Sequence, residues 1–283
     1  MSIIVAILVS SIGFEYLSVD PVAQRTGMGY ALYGDGYSVQ YNPAGLSFAS
    51  ETYYSTSYLN YIGGTHFGFL GYEHNRFGLG IRYFYSGSMK KTDELGNEFG
   101  SFSANFIDLN LGKGFFYKAI GLGGSIKLVY ANIDTLYAIG VGVDIGALYT
   151  VPGPQIQIGI AIKNIGSGIK PFIDTREMFP YEINLGGIKK FTQGWVGLDI
   201  VKPALDNFGL RIGGAYSITS IFILKASYNS LLSSMRTGSN GLDIVSGLTV
   251  GFGITVNRLL INYSYSPYFD LGTGHRISIS LGG

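Results

Sequence analysis

Catalysis needs nucleophiles, acids and bases at defined spacing, and this chain offers few of them. Its three histidines, His66, His74 and His275, are too scattered to share a metal-ligand spacing, and no cysteine is present to act as a thiol nucleophile or a soft ligand. Nothing resembles the strand-to-helix serine turn of a hydrolase, and Gly121-Leu122-Gly123-Gly124 precedes neither a helical pattern nor a phosphate-loop lysine. The sequence points to no catalytic residue, no metal and no cofactor. A net charge of +1 leaves no footprint for nucleic acid. What does recur is a single charge set among small residues: Arg82, Asp108, Lys127, Asp144, Lys163, Glu182, Asp199, Arg211, Lys225 and Arg276. Six basic and four acidic side chains, about one to a segment, suit pairing across an enclosed lumen.

The segments that carry these charges alternate. Over 137–149, Tyr137, Ile139, Val141, Val143, Ile145, Ala147 and Tyr149 form one face, and Ala138, Gly140, Gly142, Asp144 and Gly146 the other. Ile156, Ile158, Ile160 and Ile162 repeat the pattern opposite Gln157, Gly159, Ala161 and Lys163, as does 120–130. Period 2 is the signature of strands, and from residue 51 onward it predicts about fourteen of them, each near the length that crosses a bilayer at a tilt. Periodicity alone does not say which face points outward. Composition does: charged residues are 13% of the chain, about half of the roughly 25% usual in soluble proteins, and the 43 glycines and 40 Tyr plus Phe (22 + 18) leave little to solvate an exterior. The apolar stripe therefore faces lipid.

The connections agree. Those at 87–101, 165–180, 202–208 and 229–242 are long, whereas the turns between them in strand order are tight: His74-Asn75, Gly114 to Lys118, Val151 to Gly153, Phe191 to Gly194, Ser217 to Ser220 and Thr255 to Asn257. All long loops fall on one rim, as in outer-membrane barrels with short periplasmic turns. The predicted fold is thus all-β, a transmembrane antiparallel β-barrel over 51–283 in the bacterial outer membrane, with outer-membrane lipid around it and both termini in the periplasm. Residues 1–13 read as a secretory signal, being apolar, too short to span and ending in small residues. Residues 14–50 lack the lipid-facing stripe and are expected to form a hatch inside the barrel or beneath its periplasmic mouth. Glycines on the inward face would let backbone approach that hatch.

Within the hatch, Arg25-x-x-Met28-Gly29-x-Ala31, then Asp35, then Asn42-Pro43-Ala44-Gly45-Leu46 resembles the N-terminal signature of the PorV/PorQ-like outer-membrane proteins, which belong to the wider group of FadL-type barrels. The end of the chain, Leu271 to Leu281, is similar to that family's last strand, although Gly282-Gly283 replaces the terminal aromatic common there. The resemblance implies a fourteen-stranded barrel with an N-terminal hatch. Two roles for Arg25 and the Asn42 turn stay open: Arg25 pairing with Asp108 or Asp144 while the turn shapes entry to the first strand, or a hatch that moves to pass a ligand.

Two function classes follow. One is passive uptake or binding of a hydrophobic or amphipathic small molecule through the plugged barrel, as the FadL-type resemblance implies, with Phe172, Met178 and Phe179 in one loop and Leu231, Leu232 and Met235 in another as a candidate groove. The other is a PorV/PorQ-like docking role, in which a secretion partner protein binds exposed loop surface.

Overall fold

A computed structural model describes residues 13–26, 28–235, 246–268 and 271–282, with the side chains of 233–235 excepted. The expected signal segment, apart from Gly13, and the Met235 side chain lie outside the described residues.

Fourteen strands close into one antiparallel barrel. They are β1 (Tyr53–Asn60), β2 (His66–His74), β3 (Phe77–Tyr85), β6 (Ala104–Tyr117), β7 (Ile120–Ile133), β8 (Leu136–Val151), β9 (Ile156–Lys170), β10 (Glu182–Phe191), β11 (Gly194–Pro203), β12 (Gly209–Ser217), β13 (Phe222–Asn229), β14 (Leu248–Val256), β15 (Leu259–Pro267) and β16 (Thr273–Gly282). Neighbours in sequence are neighbours in space, and β1 pairs with β16 to complete the ring. A separate hairpin of β4 (Met89–Thr92) and β5 (Glu98–Phe102) fills the loop between β3 and β6. Its charges are solvated and locally paired, Lys90 with Glu98 and Lys91 with Asp134, each at 2.6 Å.

The alternation places the apolar stripe outside. Leu70, Leu111, Ile126, Val143, Ile160 and Leu185 are exposed on the outer wall, while the charges on the opposite face are buried except Arg211, which is partly so. Among the described residues no helix is long and apolar enough to cross a membrane.

The β8–β9 register shifts twice, between Ile139 and Gly140 and between Val143 and Ile145. At the second shift the Asp144 carboxylate accepts from the Asn164 backbone N–H at 2.6 Å and Asn164 takes a left-handed φ of 57°. Lys163 and Asn164 consequently both face inward, and from there Ile165 and Ile169 turn outward with Gly166 and Gly168 inside. Residues 165–170, expected as loop, are therefore strand. The long connections lie on one rim and the tight turns on the other, with one exception: the β7–β8 turn on the long-loop rim is only residues 134–135.

The outer stripe of β8 runs from Tyr137 to Tyr149, twelve residues or about 28 Å at the usual strand rise and a ~45° tilt, which matches a hydrocarbon core of roughly 30 Å between two aromatic girdles. Val143 is midway and 40% exposed, whereas Ile158 pairs with Tyr149 at the girdle. Val143→Arg is expected to lower the unfolding free energy in phosphatidylcholine vesicles by about 2–4 kcal/mol, and Ile158→Arg by about 0–1 kcal/mol. Urea titration followed by tryptophan fluorescence measures both.

Candidate functional site

Residues 13–50 run the length of the lumen. Gly13 donates its N–H to the Met178 carbonyl at the long-loop rim, and the segment ends at the short-turn rim, where Tyr53 begins β1 beside Gly282. The two described ends of the chain therefore sit at opposite rims. Most of the segment has no regular structure, so its backbone groups need partners other than their own. The wall supplies them. Arg82 donates to the carbonyls of Leu17 (3.1 Å) and Val19 (3.3 Å), Arg276 to that of Asp20 (2.9 Å) and Lys225 to that of Gln24 (2.7 Å). With the opposite polarity, the Asp199 carboxylate accepts from the Gly29 N–H at 3.0 Å and Glu73 from the Ser38 N–H at 2.5 Å.

The ten lumen charges expected from the sequence all line this interior. Two pairs form between neighbouring strands, Arg82 with Asp108 at 2.7 Å and Lys127 with Asp144 at 3.2 Å, and a third reaches across β11, Arg211 with Glu182 at 3.8 Å. Glu182 also accepts from the Tyr30 hydroxyl. Arg25 pairs with neither Asp108 nor Asp144. Its guanidinium forks onto Asp35 of the same segment (2.9 and 2.6 Å), donates to the Gly29 carbonyl (2.8 Å) and lies 4.5 Å over the Tyr41 ring. Glu73, absent from the sequence-based set, is fully buried because it meets the Ser38 N–H. The Tyr41 hydroxyl donates to the Asp20 carboxylate, 2.8 and 2.7 Å from its two oxygens.

Asn42 and Pro43 build the second half of the segment. The Asn42 side-chain carbonyl accepts from the Ala44 N–H at 3.0 Å, capping a 3-10 helix over Pro43–Phe48, with Pro43 at a position where no N–H is needed. Its amide donates to the Tyr30 carbonyl at 2.8 Å. Gly45 packs against Ser38, and Met28 is buried near Gly197 and Gly213 of the wall. The inward glycines are the other half of this fit: a Cβ on Gly123 would strike the Pro43 carbonyl, on Gly114 the backbone of Ser47, and on Gly159 the Tyr30 carbonyl oxygen.

The loop residues expected to form one groove separate into two places. Phe179 is fully buried; it folds back into the barrel over Gly140 and Gly142 and meets Phe14 edge to face at 5.0 Å. Met178 is half-buried beside it, bridged to Ser167. Phe172 lines a cavity of about 460 Å³ at the long-loop rim with Phe14, Tyr16, Phe84 and Phe106. In that cavity Tyr16 stacks on Phe106 at 4.4 Å, Phe106 on Phe84 at 5.0 Å, and the charged liners, Glu15 and Glu177, are both acidic. Leu231 and Leu232 lie elsewhere, beside Gly209 and over a second chamber respectively. The aromatic lining was missed in sequence because Phe84 and Phe106 sit at strand ends, where an inward ring is indistinguishable from a girdle ring until the register is known. Among the described residues no group of three or more His, Asp or Glu side chains is placed to hold a metal ion.

This is the architecture of a transmembrane barrel with an occupied lumen. The structure is similar to that of the TodX monoaromatic hydrocarbon channel in a deltaS2 mutant form (TM-score 0.61, 14% identity, covering 95% of this chain and 98% of that one). It is also similar to the Ralstonia pickettii toluene transporter TbuX (0.58, 12%, 93% and 97%) and to the CymD monoaromatic hydrocarbon channel (0.57, 12%, 95% and 98%). No protein-family model and no curated protein matches the sequence. At these identities the likeness is one of fold, and it adds nothing to the PorV/PorQ resemblance.

The fit between wall glycines and lumen segment has a direct test. Gly159→Val is expected to displace residues 30–31 and expose the segment to added protease in detergent, while the barrel keeps its resistance. Gly187→Val, at a site where a Cβ meets nothing within 4 Å, is expected to leave the segment protected.

Proposed function

We propose that the protein is an outer-membrane channel that takes up neutral hydrophobic small molecules, with the N-terminal segment as its plug. The observation that carries this reading is the aromatic cavity of about 460 Å³ at the long-loop rim, seated directly on the segment that fills the lumen. A cavity of this size, walled by aromatic rings with few polar groups, suits burial of a small apolar ligand. The acidic residues at its edge, Glu15 and Glu177, repel an anion and leave a neutral compound indifferent. The fold likeness to two monoaromatic hydrocarbon channels and a toluene transporter supports the same class of solute. Under this reading the long-loop rim faces outward, the solute enters beside Phe84, Phe106 and Phe172, and Phe14 and Tyr16 must move for it to pass. The loop residues Leu231 and Leu232 have no part in this cavity. The docking alternative draws no support from these likenesses.

Toluene binding to the purified protein in detergent, followed by calorimetry, tests the proposal. Wild-type protein is expected to bind, and Phe84→Ala with Phe106→Ala to weaken binding about tenfold or more, because two ring contacts of about 0.5–1.5 kcal/mol each are lost beyond their buried area. Leu232→Ala is expected to bind as wild type. Equal binding by the double variant would sink the assignment.

A further inference from the structure

The lumen holds two chambers unlike the aromatic cavity, both against the wall of β12 and β13. The upper, about 210 Å³, is lined by Arg211, Ser227, Thr249 and Arg276 of the wall and by Asp20 and Thr26 of the plug, beneath Tyr61 and Tyr268 at the long-loop rim. The lower, about 240 Å³, is lined by Lys190, Trp195, Ser217 and Lys225 of the wall and by Arg25 and Asp35, and it reaches the short turns. One short stretch of plug separates them. Ser227 donates to the Thr26 carbonyl at 2.5 Å, and Lys225, two residues away on the same face of β13, donates to the Gln24 carbonyl at 2.7 Å. Thr26 is held there with a left-handed φ of 50°, a conformation that a β-branched residue adopts only under constraint.

Arg211 is answered by Glu182 at 3.8 Å, and the other cations that line these chambers, Arg25, Lys190, Lys225 and Arg276, outnumber the carboxylates, Asp20 and Asp35. Asp20 is engaged by the Tyr41 hydroxyl and the Val22 N–H, and Asp35 by the Arg25 fork. Among the described residues the hydrogen-bond partners of Arg276 are neutral, the Asp20 backbone carbonyl, Ser266 and Tyr268, as are those of Lys225, the Gln24 carbonyl and Asn262. Among the described residues, no carboxylate forms a salt bridge with Arg276, Lys225 or Lys190. In the upper chamber the Arg211 Nε is buried and has no hydrogen-bond acceptor. Buried cations without counter-charges are costly, and a mobile anion is what removes that cost.

We propose that the two chambers form a second route through the barrel, for small monovalent anions of chloride or acetate size, closed by the Gln24–Thr26 strap. The route is separate from the aromatic cavity in residues and in solute, and it depends on the barrel spanning a membrane but not on hydrocarbon uptake.

The test is single-channel recording in planar bilayers under a KCl gradient, on full-length protein whose folding is checked by its heat-dependent mobility on a gel. Ser227→Ala removes one strap bond and is expected to raise the open fraction about fivefold, the effect of one hydrogen bond of ~1 kcal/mol, with a reversal potential favouring chloride over potassium. Adding Arg276→Gln is expected to reduce that preference. Lys190→Gln, at the half-buried lower mouth, makes the same test where the Arg276 variant does not fold. Potassium-selective or unselective openings, an unchanged open fraction in Ser227→Ala, or a chloride preference indifferent to both charge removals would each overturn the proposal. Toluene binding by Ser227→Ala is expected to match wild type, so failure of the anion route and failure of the hydrocarbon reading are separately visible.

Discussion

The pairing of β1 with β16, from Tyr53 against Gly282 to Asn60 against His275, is the contact on which everything else rests. In hydrocarbon each unpaired backbone N–H or C=O costs several kcal/mol, so a sheet with two free edges has no stable place there. Closure removes the edges, and it also fixes what lies inside. Fourteen strands enclose more space than their own inward side chains fill, especially when many of those are glycine or serine. The lumen must then hold water or chain. Here it holds residues 13–50, and the absence of side chains at Gly114, Gly123 and Gly159 is what lets that backbone lie directly against the wall.

A segment with so little regular structure brings unpaired carbonyls and N–H groups of both polarities into the barrel, and the lumen charges answer each in kind. Arg82, Arg276 and Lys225 take carbonyls, Asp199 and Glu73 take N–H groups, and Arg82 in addition pairs with Asp108 on the neighbouring strand. This explains why the inward face as a whole mixes both signs. It also places the wall's preference for this segment in many separate bonds, so that a local release at one strap need not free the whole.

Much of this was legible in the residues. Period 2 located the strands, the scarcity of charge chose the outward face, and the order of tight and long connections set the rims. The Gly-rich stretch at Ile165-Gly166-Ser167-Gly168 read as loop because its apolar residues fall out of step with Ile156–Ile162; the bulge at Asp144 and Asn164 that resets the step is a tertiary hydrogen bond with no local signature. The partner of Arg25 was hidden for a related reason. Asp35 lies ten residues away in a segment without periodicity, where spacing carries no geometry. Phe179 looked like a surface loop residue because the hollow it fills is made by Gly140 and Gly142, whose facing becomes meaningful only once the neighbouring strands are aligned.

The plug also divides the lumen into two chemical halves. On the side of β2, β3, β6 and β7, Phe67, Phe84, Phe106 and Val129 meet Tyr16 and Leu17 in one apolar cluster. On the side of β13 to β16 the same segment is hydrogen-bonded to Ser227 and Ser278, and Thr249, Ser264 and Ser266 are buried on that wall. A neutral solute entering above the first side finds rings as far as Leu17 and Val19 and then the two arginine-held carbonyls beneath them, where apolar burial stops. Under the proposed uptake its passage is limited by how readily Arg82 releases Leu17 and Val19, and under the proposed anion route a charged solute on the other side is limited by Ser227 and Lys225. One plug can obstruct both because each half of its backbone is tied by a different set of strands, and the two sets share no residue.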